Sequence, residues 1–455
     1  MRALRSFLTL TFFSLPMLRA ALCGGALASL AALSAAQGAG SAPHDLESVR
    51  LTLPPVGLRA RDIAVVVNDA DPASLEVGRY YAKQRGIAAE RVIHIRFPVD
   101  QPVMAFPDWQ RVQAVLDAKV GPDVQAYALA WTMPFRVECM SVTAAFAFGF
   151  DPASYCPGGD GCQPTRPSPY FNSRSNAPFT DFKVRPAMLL AGDNVESVKR
   201  LIDRGLRSDE SWPAGKAYLM NTTDSSRNVR HEAYERVRAA LGAAYPIEQV
   251  NADALEGKAD VMFEFTGVPR VAAIASNSYL EGAIADDLTS FGGYLVAGSD
   301  QTNVLEWLNA GATGSYGTVT EPCNFRAKFP DPGVVMAHYL SGETLVEAYW
   351  KSVQMPGQGL FVGDPLARPF GGMRVTRSAA GSVVLTRALL PGNYIVEAST
   401  SAMGPFRPIG TLRANGFGIR EIRLPASETR FVRLRAAPEA PAARPGSAPE
   451  GPTHP

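Results

Sequence analysis

Carboxylates and small polar residues gather where strands should end, and these are the residues best placed to do chemistry. Asn68, Asp69 and Asp71 follow the β-branched run IAVVVN, and Asp286 and Asp287 fall in GAIADDLTSFGG. Asp300 follows GGYLVAG, and Glu321 follows TGSYGTV. Thr132, Gly267 and Ser299 stand at three further strand ends. In a parallel sheet covered by helices, side chains at strand carboxyl ends converge on one crevice. Gathered there, these oxygens could hold a divalent cation such as Ca²⁺ or Mg²⁺, or pass protons as general acids and bases. A plainer reading has Asp71 and Asp300 capping helices and Asp364 starting a turn with Pro365. The pattern requires no resident cofactor; a divalent cation is the one candidate.

Nucleophilic chemistry is harder to place. A Ser or Cys nucleophile needs a base within hydrogen-bond reach, usually a histidine. The chain has 5 histidines. His44 and His454 fall in the terminal segments, His94 alternates within a predicted strand, and His231 and His338 sit on predicted helices. None is expected at a strand end. There is no phosphate-binding P-loop, no G-x-G-x-x-G after a strand and no H-E-x-x-H. Gly314-Ser315-Tyr316-Gly317 approaches a nucleophile elbow, but Thr313 occupies the required first Gly position. It reads as a close-packed strand.

Four of the cysteines lie beyond the N-terminal segment. Cys156 and Cys162 share the loop YCPGGDGCQP, where short-range closure is easy, which leaves Cys139 and Cys323 as a second pair. Zinc competes, but Cys-x5-Cys has no second close-spaced pair and no histidine beside it.

The elements that must carry these residues follow from periodicity. The length of 455 residues suggests two or three domains. Lys plus Arg number 44 against 43 Asp plus Glu, and so even a balance without a basic block offers no footprint for nucleic acid. Residues 1–36 read as a secretory signal: Arg2 and Arg5 precede an apolar run, and Ser34 and Ala36 precede a cut before Gln37. Arg19 interrupts that run, so Met17 is the expected start. Cys23 follows Leu22, which excludes a lipidation box. No later window is long and apolar enough to span a membrane, so export and an oxidising compartment, periplasmic or extracellular, are expected.

Residues 37–61 read as a linker. From 62 to 370, short apolar runs alternate with amphipathic helices, which predicts a mostly parallel sheet sandwiched by helices. Residues 136–186 break the rhythm and read as a disulfide-pinned insertion. From 371 to 435 apolar and polar residues alternate at period two, which predicts a small antiparallel β-sandwich of immunoglobulin or fibronectin type. Residues 436–455 form a Pro/Ala tail too poor in apolar residues to build a core.

Taken together, YYAKQRGI, GAIADDLTSFGG, AGATGSYGTVTEPC, LVEAYWKSV and VGDPLARPF resemble a family of exported bacterial proteins found in genomes that carry the exosortase sorting system. The match runs from Ile63 to Phe370, and that family has no established activity. GETLVEAYW followed by FVGDP is more distantly similar to gingipain-type peptidases of the caspase–haemoglobinase fold. The resemblance implies a caspase-like α/β domain. Those peptidases carry His-Gly after one strand and Cys after the next; here the corresponding ends read as Thr266-Gly267 and Gly298-Ser299. Neither dyad member is present.

The expectation is therefore a non-catalytic accessory protein of the cell envelope that binds a peptide, a glycan or an envelope protein. The alternative is a hydrolase, peptidase-like or dependent on the carboxylates, working at the strand ends. A purely structural role is the third reading.

Overall fold

A continuous β-branched run can persist as a strand only where both of its faces are covered. IAVVVN meets that demand. Ile63, Val65 and Val67 enter one apolar layer with Tyr81 and Met188, while Ala64 and Val66 enter a second with Trp109 and Trp131. The structure is a computed structural model and describes residues 49–156, 162–296, 300–378, 381–425 and 431–437. The expected signal peptide, the first part of the linker, nearly all of the tail, and Gly298 and Ser299 lie outside the described residues.

In chain order the first strands are β1 (Arg50–Thr52), β2 (Ile63–Asn68), β3 (Val92–Ile95), the short β4 (Val103–Met104), β5 (Ala126–Leu129), the short β6 (Arg136–Val137) and β7 (Met140–Ser141). They continue with β8 (Ala187–Leu189), β9 (Lys216–Met220), β10 (Ile247–Val250), β11 (Val261–Thr266), β12 (Tyr279–Asp287), β13 (Gly314–Thr318) and β14 (Gly359–Gly363). The helices between them are α1 (Pro72–Arg85), α2 (Phe106–Lys119), α3 (Val142–Phe148), α4 (Pro152–Tyr155), α5 (Pro178–Phe182), α6 (Val195–Ser208), α7 (Tyr234–Leu241), α8 (Val304–Ala310), α9 (Pro332–Leu340) and α10 (Leu345–Ser352). Local chemistry sets their ends. Asp71 accepts from the Ala73 amide at 2.9 Å with Pro72 in the first turn, and Gly86 closes α1 at φ 65°.

Among the described residues, one sheet has the order β10-β9-β11-β12-β13-β14-β8-β5-β2-β3. Neighbours from β10 to β13 run parallel, as do those from β8 to β3. β13 and β14 meet antiparallel. β14 thus runs against β13, while the loops after β2, β5, β8 and β12 meet on one side of the sheet, where Asp71, Thr132, Gly192 and Leu295 line one hollow. The reversal has a simple cause: two helices, α9 and α10, separate β13 from β14, so the chain comes back along the same edge.

Several expectations need correcting. GGYLVAG is not a strand over its described part; Gly292 and Gly293 instead lie against the backbone of Gly317, where an added Cβ on Gly317 would sit 2.1 Å from the Gly292 carbonyl carbon. The strand beside β11 is β12. β10 and β14 were not anticipated, and neither was β1, which lies in the stretch read as linker. The insertion carries a short helix, α3, buried from Val142 to Ala147, which the absence of a helical period concealed. Its disulfides join Cys139 to Cys156 and Cys162 to Cys323, not the expected pairs. Cys156 ends α4 and packs with Cys139, Met140 and Tyr155, so tertiary packing overrides nearness in sequence.

The remaining strands are β15 (Met373–Ser378), β16 (Gly381–Thr386), β17 (Gly392–Ser399), β18 (Arg407–Ala414), β19 (Arg420–Pro425) and β20 (Phe431–Ala436). They form two sheets, β15-β16-β19 and β1-β20-β17-β18. Leu51 of β1 shares their core with Val384, Tyr394, Ile422 and Leu434.

Candidate functional site

The predicted site residues divide between two distant stretches of the sheet's carboxyl edge. Asn68, Asp69 and Thr132 lie at the carboxyl ends of β2 and β5, whereas Gly267, Asp286 and Asp287 lie at those of β11 and β12. At ~4.8 Å per strand, the four to six strand steps between the groups separate them by on the order of 20–30 Å. One carboxylate cluster built from both is excluded. Among the described residues no three His, Cys, Asp or Glu side chains come together to hold a metal ion.

At the β2/β5 edge the polar residues serve the backbone. Asn68 is fully buried, donates to the Phe97 carbonyl at 3.1 Å and accepts from the Phe97 amide at 3.1 Å. The Thr132 hydroxyl donates to the Gly192 carbonyl at 2.9 Å and clamps the turn after β8. Asp69 is exposed and meets His94 Nδ1 at 2.6 Å. His94 is the penultimate residue of β3, so one histidine does stand near a strand end, contrary to expectation. A hollow of ≈ 490 Å³ opens at this edge, with Asp71, Asp100, Thr132 and Asp193 on its wall.

The β11/β12 edge is organised around Arg230, on the short 3-10 turn Asn228–Ala233. Arg230 is 3% exposed; it donates to Asp286 Oδ1 at 2.5 Å and to the Thr266 carbonyl at 2.5 Å. Asp286 is thus a buried counter-ion. Asp287 is also buried and accepts from the Val268 amide at 3.0 Å. Burial pushes its carboxyl up to about 7, against the stabilising Val268 bond. Glu264, one strand over, is pushed up to about 8 by burial, opposed by its 2.8 Å bond from the Tyr279 hydroxyl. Thr266 Oγ1, Asp287 Oδ2 and Arg230 Nε are buried without a hydrogen-bond partner, whereas the Tyr349 hydroxyl and the Asp286 carboxylate face each other. Buried polar atoms are normally paired, so such a group marks a place able to hold water or ligand atoms.

Gly267 follows β11 with its Cα against the Arg227 carbonyl, where a Cβ would sit 2.1 Å away. Thr289 follows β12; its hydroxyl accepts from Arg227 Nε at 3.3 Å and donates to Gln301 Oε1 at 2.9 Å. Beside this edge lies a cavity of ≈ 370 Å³ with Arg230 on its wall, together with Arg236, Arg326, Phe171 and Phe329. Asp300 is exposed, and Glu321 accepts from the Cys323 amide at 2.8 Å in a local turn. Asp364 starts its expected turn, and it also receives a bond from Tyr81 at 2.9 Å and an ion pair from Arg85. Arg230, Glu264 and Thr289 were not singled out from the sequence. The adjacent acids of IADD, buried in a strand, were the available signal, since a buried carboxylate demands a buried cation.

No protein-family model matches the chain, and no curated protein matches it. Among solved structures it is similar to the Arg-specific cysteine proteinase gingipain R, at 12% identity and a TM-score of 0.38, over 82% of this chain and 93% of that one. A structure described as a protease is similar at 11% identity and a TM-score of 0.40, over 80% of this chain and 97% of its own. A complex of Porphyromonas gingivalis RgpB pro- and mature domains is similar at 13% identity and a TM-score of 0.37, over 80% and 93%.

Proposed function

We propose that this is an exported accessory protein of the cell envelope, in the setting of exosortase-type sorting, which binds a peptide or glycan at the β11/β12 edge without cleaving it. One observation carries the reading. The two strand ends present Gly267 and Asp287, while all four cysteines among the described residues are held in disulfides. A thiol in a disulfide is no nucleophile. What remains at the edge is recognition chemistry: a buried arginine, unpartnered polar atoms and an aromatic-walled cavity.

The second reading is hydrolysis with Asp287 as the proton-transfer group. It is favoured by a carboxyl pushed up to about 7, near the working range of a general acid or base. Incubating the full chain with a randomised peptide mixture and following both retention and cleavage by mass spectrometry separates the two. Retention of intact peptides supports binding; cleavage that vanishes in Asp287→Asn replaces binding with hydrolysis.

A further inference from the structure

The cavity of ≈ 370 Å³ beside the β11/β12 edge has a composition that selects its ligand. Arg230 forms part of its wall; the guanidinium is held in place by Asp286 and the Thr266 carbonyl, and its Nε has no partner. Arg236 reaches the same cavity from α7, is exposed, and has no ion-pair partner among the described residues. Arg326, on the rim, is tied to Glu232 at 2.9 Å. The cavity also opens at the start of α9, where amides and the helix dipole favour negative charge. Asp331, also on the wall, caps that helix by accepting from the Val334 amide at 3.0 Å, so the two arginines must outweigh its negative charge. Phe171 and Phe329 make the remaining wall apolar.

We propose that this cavity receives a carboxylate attached to an apolar body, with Arg236 and the buried Arg230 as its partners: the free carboxyl terminus of a peptide, or a small aromatic acid. The inference rests on the binding reading above and adds the chemistry of the group bound. Arginine forks suit planar carboxylates, a cavity of this size is at the small end of ligand pockets, and capture of a chain terminus needs little more.

Equilibrium dialysis of the full chain tests it. The probes are a randomised pentapeptide mixture with free carboxyl ends, the same mixture amidated, and N-acetyl-phenylalanine. Free-acid peptides should be retained about tenfold more than amides, a charge-assisted bond's worth, and Arg236→Gln should abolish that difference while leaving the fold intact by circular dichroism. Retention of N-acetyl-phenylalanine as strong as that of the peptides identifies a small acid as the ligand; weaker retention identifies a chain terminus. Equal retention of acids and amides overturns this inference and leaves the binding reading standing. No retention of any probe overturns both, and an unchanged preference in Arg236→Gln overturns the assignment to this cavity.

Discussion

A guanidinium with 3% of its surface exposed costs free energy unless its charge is matched, and Arg230 is matched by Asp286. Removing one partner leaves the other buried and alone, a loss of about 3–5 kcal/mol, whereas replacing both with apolar groups costs far less. Arg230→Met should therefore lower stability in urea unfolding by that amount, and Arg230→Met with Asp286→Leu should recover most of it. A single variant as stable as the parent would contradict the pairing. Glu264 supplies a second test. Its folded carboxyl is raised from 4.5 to about 8 by burial, so its contribution is fully present below pH 4.5 and drains away as pH rises towards about 8. At ~1.4 kcal/mol per pH unit, the upper bound on this loss is about 4–5 kcal/mol. Glu264→Gln should flatten the pH dependence of stability between pH 5 and 8, measured by denaturant unfolding at each pH; an unchanged slope would rule Glu264 out as its source. Neither residue role was legible in the sequence. Glu264 alternates in an apolar run like any strand residue, and Arg230 lies in SSRNVRHEAY, which has no periodic face to betray its burial.

Elements were more legible than partnerships between them. The runs IAVVVN, AMLLAG and KAYLMN are strands because their apolar character is continuous and Gly, Pro or Asn bounds them. GGYLVAG misled because its apolar residues fit a strand equally well; what decides against it is the glycine-to-glycine contact with Gly317, which no local pattern announces. Gly317→Ala should drive a Cβ into the Gly292 backbone and destabilise the protein by about 1–3 kcal/mol or more, read as a lowered melting temperature. The disulfides make a comparable point. Cys162–Cys323 closes a span of 161 residues and Cys139–Cys156 one of 17, so loop entropy ranks the first as the stronger brace. Replacing Cys162 and Cys323 by Ser should cost ~5 kcal/mol against ~3 for the other pair. Non-reducing peptide mapping checks the connectivity directly, and a Cys156–Cys162 peptide would refute it.

At the scale of the molecule, the width of the sheet decides which residues can cooperate. Strand count and helix count predicted a parallel sheet with one crevice, and β14 departs from it by running against β13. β8, β14 and β13 stand between β5 and β12 and keep the two groups of polar residues apart. GETLVEAYW was visible as a helix, but the strand GLFVG after it is short and bounded by glycines, so its reversed direction left no mark. The later β layer was legible from period-two alternation, but two of its seven strands were not: β18, whose RPIGTLRA carries a proline and a glycine, and β1, which is separated from the rest by the whole α/β sheet. Deleting residues 49–53 should speed limited proteolysis within 381–436 while sparing the α/β elements; mass-spectrometric mapping with an unchanged cleavage pattern would show that β1 contributes nothing.

Arg50 to Thr52 lie in parallel register with Phe431 to Arg433, near the two extremes of the described chain. The first described strand to be synthesised therefore waits for the last described one before its backbone is paired. Until Phe431 to Arg433 have emerged, β1 has no strand partner, although Val384, Tyr394 and Ile422 of its core are already made. Closure of this layer is consequently a late event in the making of the protein.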